Sequence, residues 1–228
     1  MQRVPASPIA FPCVPRRHNA LISNLIGEFE DYVNFTINDY SSVGRIDYSV
    51  KSDAFGARLL CDPVFLGFFE VNALSYRPCK KMALLLPCNS FKPEIACQTH
   101  FMTLRNLKKH GLLQHMDVWV VAEPIGLYAY RDVFAYPVAN YDFPPRYVGI
   151  KTKTLMSQRL REWYDRVGQR YDVVLCYLTR YYRELAVNAF AEVRAEGDII
   201  AIRNRHRLHS RSEQRRLTAT ARRILKKL

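Results

Sequence analysis

Between residues 82 and 202, short apolar runs alternate with stretches in which apolar residues recur every three or four positions. Met82 to Leu86 is a continuous apolar run closed by Pro87, which predicts a strand buried on both faces. VWVVAEP at 118–124, YDVVLCYL at 171–178 and DIIAI at 198–202 predict three more strands. Phe101, Leu104 and Leu107 share a helical face that ends at Gly111. Helices with a glycine stop are also predicted over 155–168 and 181–197. Upstream, Leu21, Ile22, Leu25, Ile26, Phe29 and Val33 have helical spacing after Asn19 as a cap. VGRIDYSVK at 43–51 reads as a short strand or hairpin arm. LLCDPVFLGFFEV at 59–71 is apolar on too many sides for a surface helix and is expected to be buried.

Four apolar strands separated by helices are the rhythm of an α/β/α domain with a mainly parallel central sheet. The expected organisation is a proline-rich arm over 1–18, one α/β domain over 19–202 and a basic amphipathic helix over 203–228 packed on that domain. In the last segment Leu217, Ala221, Ile224, Leu225 and Leu228 share the face that would dock. Ligands of such folds bind beyond the carboxyl ends of the strands, which singles out the loops 87–100 and 123–147.

The first of these loops reads PCNSFKPEIACQTH. Pro87 ends the strand and Pro93 stiffens the backbone after Lys92, so Cys88 and Lys92 are presented on a constrained turn. If a helix begins at 97–100, Cys97 and His100 lie on one wall. Three readings stay open. A cysteine could be a nucleophile with His100 as its base. Cys88, Cys97 and His100, with Cys79, could hold zinc, although their spacing matches no tight knuckle. The cysteines could also pack in the core. In the second loop Tyr128, Tyr130, Tyr136 and Tyr141 suit stacking on a splayed base, and Glu123 is expected to pair with Arg131.

Charge narrows the choice of partner. The formal net charge is +13, and Arg203 to Leu228 hold ten Arg or Lys against one acid, Glu213. Arg215, Arg216, Arg222, Arg223, Lys226 and Lys227 are candidate contacts to a nucleic-acid backbone. No run of eighteen apolar residues is present, which argues against a membrane partner. The proline-rich first twenty residues do not resemble a secretory signal, so a cytoplasmic location is expected. Six cysteines are too few for a disulfide scaffold, and Cys61 and Cys176 are expected to be buried in apolar surroundings.

PCNSFKPEIACQTHF resembles the PCS-x-x-KP-x-x-x-S-x-x-H motif of the core domain of archaeosine synthases, archaeal enzymes of 7-deazaguanine tRNA modification. Pro87, Cys88, Lys92, Pro93 and His100 fall on motif positions, while Asn89 and Cys97 replace two serines. EPIGLYAYRDVFAYPVANYDFP is similar to a second motif of that family, with Pro124, Gly126, Leu127, Tyr136, Pro137, Tyr141, Asp142 and Pro144 matching and Asn140 in place of a histidine. The resemblance spans about 82–145. It implies a uracil-DNA-glycosylase-like layer fold and addition of an amine, with lysine as donor, to the nitrile of preQ0 in tRNA. Cys88, Lys92, His100 and Asp142 would be the catalytic residues. Pro87, Asn89, Cys97, Gly126, Tyr136, Asn140 and Tyr141 would bind substrate, and no cofactor is implied. Within these 228 residues no segment is expected to form the transglycosylase-like or PUA domain of the full-length enzymes. Separately encoded proteins, including a radical-SAM partner, would then complete the pathway. A non-catalytic tRNA-binding subunit and a base-excising glycosylase are the alternatives.

Overall fold

A computed structural model describes residues 52–89, 94–135, 137–138, 148–191, 199–204 and 206–228. The expected arm over 1–18, the helix after Asn19 and the hairpin arm at 43–51 lie outside the described residues, as do residues 192–197 of the helix expected over 181–197. The first described element is helix α1 (Asp53–Leu60), capped by the Ser52 hydroxyl at 3.2 Å from the Phe55 amide. A second helix, α2 (Pro63–Phe68), begins at the Asp62 cap and runs into a π-helical turn, Phe69–Leu74. Phe65, Phe68 and Phe69 point into the core, but Val64, Leu66 and Val71 are exposed. The segment 59–71 is therefore not buried on all sides. Cys61 likewise sits exposed in the turn between the helices rather than in the core, whereas Cys176 is buried as expected.

Five strands follow: β1 (Met82–Pro87), β2 (Met116–Ala122), β3 (Gly126–Ala129), β4 (Val173–Cys176) and β5 (Ile199–Ala201). Their order in the sheet is β3-β2-β1-β4-β5. β1 pairs in parallel with β2 on one side and β4 on the other, and β5 adds in parallel to β4. Every residue of β1, β2 and β4 is buried, as a parallel sheet covered on both faces requires. β3 is the one antiparallel strand, and it occupies part of the segment read above as a loop. It follows β2 through a three-residue turn, a link that only an antiparallel neighbour can use.

Helix α3 (Gln98–Lys109) crosses from β1 to β2, α4 (Ile150–Arg166) leads to β4, and α5 (Arg180–Ala189) leads to β5. The first crossover moves one way along the sheet and the other two move the opposite way. Right-handed connections therefore put α3 on one face and α4 and α5 on the other. The packing agrees: α4 lies on α1, α5 and β3, while α3 lies on the terminal helix α6 (Arg211–Leu225). The result is a three-layer α/β/α architecture. Adjacent strands β1 and β4 send their connections to opposite faces, so a crevice opens at their carboxyl ends.

Local chemistry explains the element boundaries. Gly111 takes φ +65° after α3, with Leu112 N–H bonded to the Leu107 carbonyl at 2.9 Å and Gly111 N–H to that of Lys108 at 3.0 Å. This double return satisfies carbonyls that the helix leaves open. At the other end of the sheet Asp117 is buried and accepts from the Tyr171 hydroxyl at 3.0 Å and the Cys79 amide at 3.2 Å. Trp119 Nε1–H donates to the Tyr171 oxygen at 3.1 Å. Burial, and then the nearby Asp117 charge, push the Tyr171 phenol well above its ordinary range, so it remains a donor. Tyr171→Phe leaves a buried indole N–H and a carboxylate each one partner short. We expect a loss of about 1–3 kcal/mol in stability, read as a lower urea midpoint with unchanged slope. An unchanged midpoint would contradict this account.

Candidate functional site

The crevice is built from the end of β1. Pro87 makes the last rung opposite Val121, and the Cys88 amide still donates to the Val121 carbonyl at 2.8 Å. On the other side the ladder closes earlier: Tyr177 N–H bonds to Leu85, and β4 then turns away at Thr179, the N-cap of α5. The His100 ring reaches in from the first turn of α3 and places Nε2 2.7 Å from the Pro87 carbonyl. A carbonyl only accepts, so Nε2 carries the hydrogen. The imidazole is fully buried and stacks on Tyr130 with 5.6 Å between ring centroids. His100 is thereby committed to holding the strand end, and the hydrogen on Nε2 makes that nitrogen unable to act as a base.

Cys88 is half-buried, with Sγ 3.4 Å from the Asn89 carbonyl and 4.0 Å from Glu94 Oε1. Glu94 begins a single 3-10 turn (Glu94–Ala96) just before α3 and is fully buried. Tyr128 of β3 and Tyr130 lie beside it. Burial raises both phenols well above their usual range, and the Glu94 carboxylate raises them further. A second buried carboxylate, Glu123, sits just after β2 and accepts from the Tyr182 hydroxyl at 2.5 Å. Burial, then Glu123, then Cys88 raise Tyr182 in turn. Cys88 thus contacts one buried carboxylate, Glu94, and lies near Tyr182, whose protonated hydroxyl donates to the second, Glu123. Glu123 does not pair with Arg131, which contacts Asp132 at 3.8 Å and stacks over Tyr76 instead.

A cavity of about 220 Å³ opens at this point. Pro87, Cys88 and Asn89 supply one side, Thr99 and His100 of α3 another, and Thr179 with residues 207–209 the rest. Four of the residues expected from sequence therefore meet here: Pro87, Cys88, Asn89 and His100. Cys97 is the half-buried N-cap of α3, near the cavity but not in its wall. Gly126 is elsewhere. It starts β3 at φ +99°, and a Cβ there would come within 2.8 Å of the Arg159 Cβ on α4. Backbone geometry and close packing by themselves account for a glycine at this position. Lys92, Tyr136, Asn140, Tyr141 and Asp142 lie outside the described residues.

Cys79 and Cys88 stand at opposite ends of β1, which separates them by roughly 20 Å at strand rise and rules out a shared metal. Among the described residues no three His, Cys, Asp or Glu side chains come together as a metal site. Arg215, Arg222 and Arg223 of α6 and Lys226 and Lys227 just after it are exposed, while Arg216 is half-buried and bonded to Glu213 and to the Arg203 carbonyl. Leu217, Ala221 and Ile224 dock as expected, Leu225 is partly covered, and Leu228 is exposed beyond the last turn. No described helix is long and apolar enough to cross a membrane.

Comparison with known proteins adds the family. Residues 68–220 match the family described as a domain of unknown function, DUF5591. The chain belongs to that family. No curated protein matches it. Among solved structures it is similar to the crystal structure of AF0587, a protein of unknown function, at 19% identity and a TM-score of 0.52. That likeness covers 68% of this chain and 49% of the other, so this chain spans about half of that protein, and the likeness concerns the fold.

The Cys88–Glu94 contact has a direct readout. Glu94→Gln removes the carboxylate nearest the thiol while keeping its size, so alkylation of Cys88 by iodoacetamide should slow several-fold at neutral pH. Mass spectrometry of the labelled peptide separates this site from the exposed Cys61 and Cys79, whose rates should not change. Equal rates at Cys88 would show that Glu94 does not take its proton.

Proposed function

We propose that this member of the DUF5591 family modifies a 7-deazaguanine base in tRNA, adding a primary amine to the nitrile of preQ0. The observation that carries the reading is the setting of Cys88. It stands half-buried where the central strand meets the crevice, with a cavity on one side and the Glu94 carboxylate on the other. The two sequence motifs around Cys88 and Asp142 support the substrate, and the size of the cavity suits one planar base.

The reaction needs no oxidant and no cofactor. The Cys88 thiol gives its proton to Glu94 as Sγ adds to the nitrile carbon, and one C–N π bond breaks. Glu94 returns the proton to the nitrogen, leaving a thioimidate. The amine, with lysine as donor, then adds to that carbon, the C–S bond breaks, and the departing sulfur takes up the proton that the amine releases. The net product is an amidine, the sum of nitrile and amine. Asp142 would hold the amine of the donor, and Lys92 is a further candidate proton donor to the nitrile nitrogen. His100 acts through Pro87 as a positioning residue.

The exposed cations of α6 give the same reading a backbone contact. They carry charge alone and so would add affinity for tRNA without choosing the base.

Two experiments test the proposal. With preQ0-containing tRNA and labelled lysine, wild type should transfer label and Cys88→Ala should lose at least about a hundredfold of that rate, while tRNA binding persists. Absence of transfer by wild type, even with cellular partners, would sink the enzymatic reading and leave a tRNA-binding subunit. Separately, replacing Arg215, Arg222 and Arg223 by Gln should weaken tRNA binding and flatten the slope of log affinity against log salt. Each lost contact should change that slope by about 0.7–0.9. Identical slopes would remove α6 from the interface.

A further inference from the structure

The crevice has a wall that owes nothing to the Cys88 loop. Residues 207–209 of the C-terminal segment line it, and that segment is firmly tied down. Asn204 donates to the Leu178 carbonyl at 2.6 Å, and the Leu208 carbonyl accepts from the Tyr177 hydroxyl at 2.6 Å and from Gln214 Nε2 at 2.8 Å. Leu208 is buried as the anchor, and its neighbours Arg207 and His209 border the cavity. His209 Nδ1 lies 3.2 Å from the Thr99 hydroxyl, another cavity group.

Arg207 makes no side-chain hydrogen bond or ion pair with any described residue, and no described residue lining the cavity is acidic. The Thr179 side chain in the same wall caps no amide of its own helix. Arg207 and Thr179 are exposed at the cavity rim, and an arginine there beside hydroxyl- and imidazole-bearing lining residues, with no acidic residue in the described wall, suits a planar or tetrahedral oxyanion.

We infer that Arg207, with His209, Thr99 and Thr179, forms an oxyanion subsite in the Cys88 cavity, which takes a carboxylate or phosphate group of the ligand. Under the chemistry proposed above, the carboxylate would belong to an amino-acid donor and the phosphate to the modified nucleotide. The subsite rests on the cavity wall and stands whether or not Cys88 is a nucleophile.

The test is an amide NMR titration of the full chain with L-lysine, with cadaverine (the same diamine chain without the carboxylate) and with inorganic phosphate. Saturable shifts at Arg207, His209 and Cys88 are expected with an anion and not with cadaverine. Arg207→Gln should weaken the binding by about tenfold or more, and Arg207→Lys should fall in between, because it keeps the charge but loses the fork. Lys80→Gln, which removes one exposed charge at the opposite end of β1, should leave it unchanged. Binding of lysine but not phosphate assigns the subsite to the donor's carboxylate, and the reverse assigns it to a nucleotide phosphate. Absence of saturable binding by either anion would overturn the inference. So would equal binding of cadaverine, or wild-type affinity in a folded Arg207→Gln variant.

Discussion

The bond from His100 to the Pro87 carbonyl is the contact on which the rest of the crevice depends. Where β1 leaves the sheet, its neighbour β4 has already turned into α5, and the last buried carbonyl has lost its ladder partner. An unsatisfied buried carbonyl costs about 1–3 kcal/mol, and the imidazole at 2.7 Å removes that cost. The same bond ties the start of α3 to the end of β1, with the turn that carries Glu94 immediately before that helix. Cys88, one residue after Pro87, inherits a defined position between Glu94 and the cavity. The stack of His100 on Tyr130 extends the restraint to the antiparallel edge of the sheet.

Much of the fold was legible in the chain because burial on both faces leaves a plain mark. MALLL, VWVV and VVLC carry no polar alternation, and each is a strand. Gly111 marked the end of α3 because only a residue at ease at positive φ completes its double hydrogen-bonded return. β3 was missed for an equally physical reason. GLYA is short, follows a turn and looks like the continuation of a loop, and only pairing with β2 defines it. Asp53 shows the limit of local reading. Burial would raise its carboxyl, yet bonds from Thr152, Lys151 and Gly149 hold it below its usual value, and it caps α4 from 96 residues away. No spacing rule anticipates such a contact.

The site divides along the same line. Cys88, Asn89 and His100 came from a contiguous motif, where spacing carries information. Glu94 lies inside that motif, but its role depends on a cysteine and two tyrosines that meet it only after β3 folds back. Glu123 was visible as a carboxylate at a strand end, and the sequence offered Arg131 as partner, whereas the fold supplies Tyr182 from α5. Arg207 and His209 were part of a basic tail and carried no sign of facing a cavity. The tail serves two ends: its helix presents charge outward, and the segment before it completes the crevice wall.

A thiol beside a buried carboxylate, facing a cavity of base size, makes a covalent intermediate the central expectation. It can be examined most directly by mixing the protein with preQ0-containing tRNA in the absence of amine and analysing the mixture under denaturing conditions. The account predicts a protein–tRNA adduct that maps to Cys88, is absent from Cys88→Ala and is released when lysine is added. Wild-type protein that binds the tRNA without covalent linkage, or an adduct that maps to another cysteine, would contradict it.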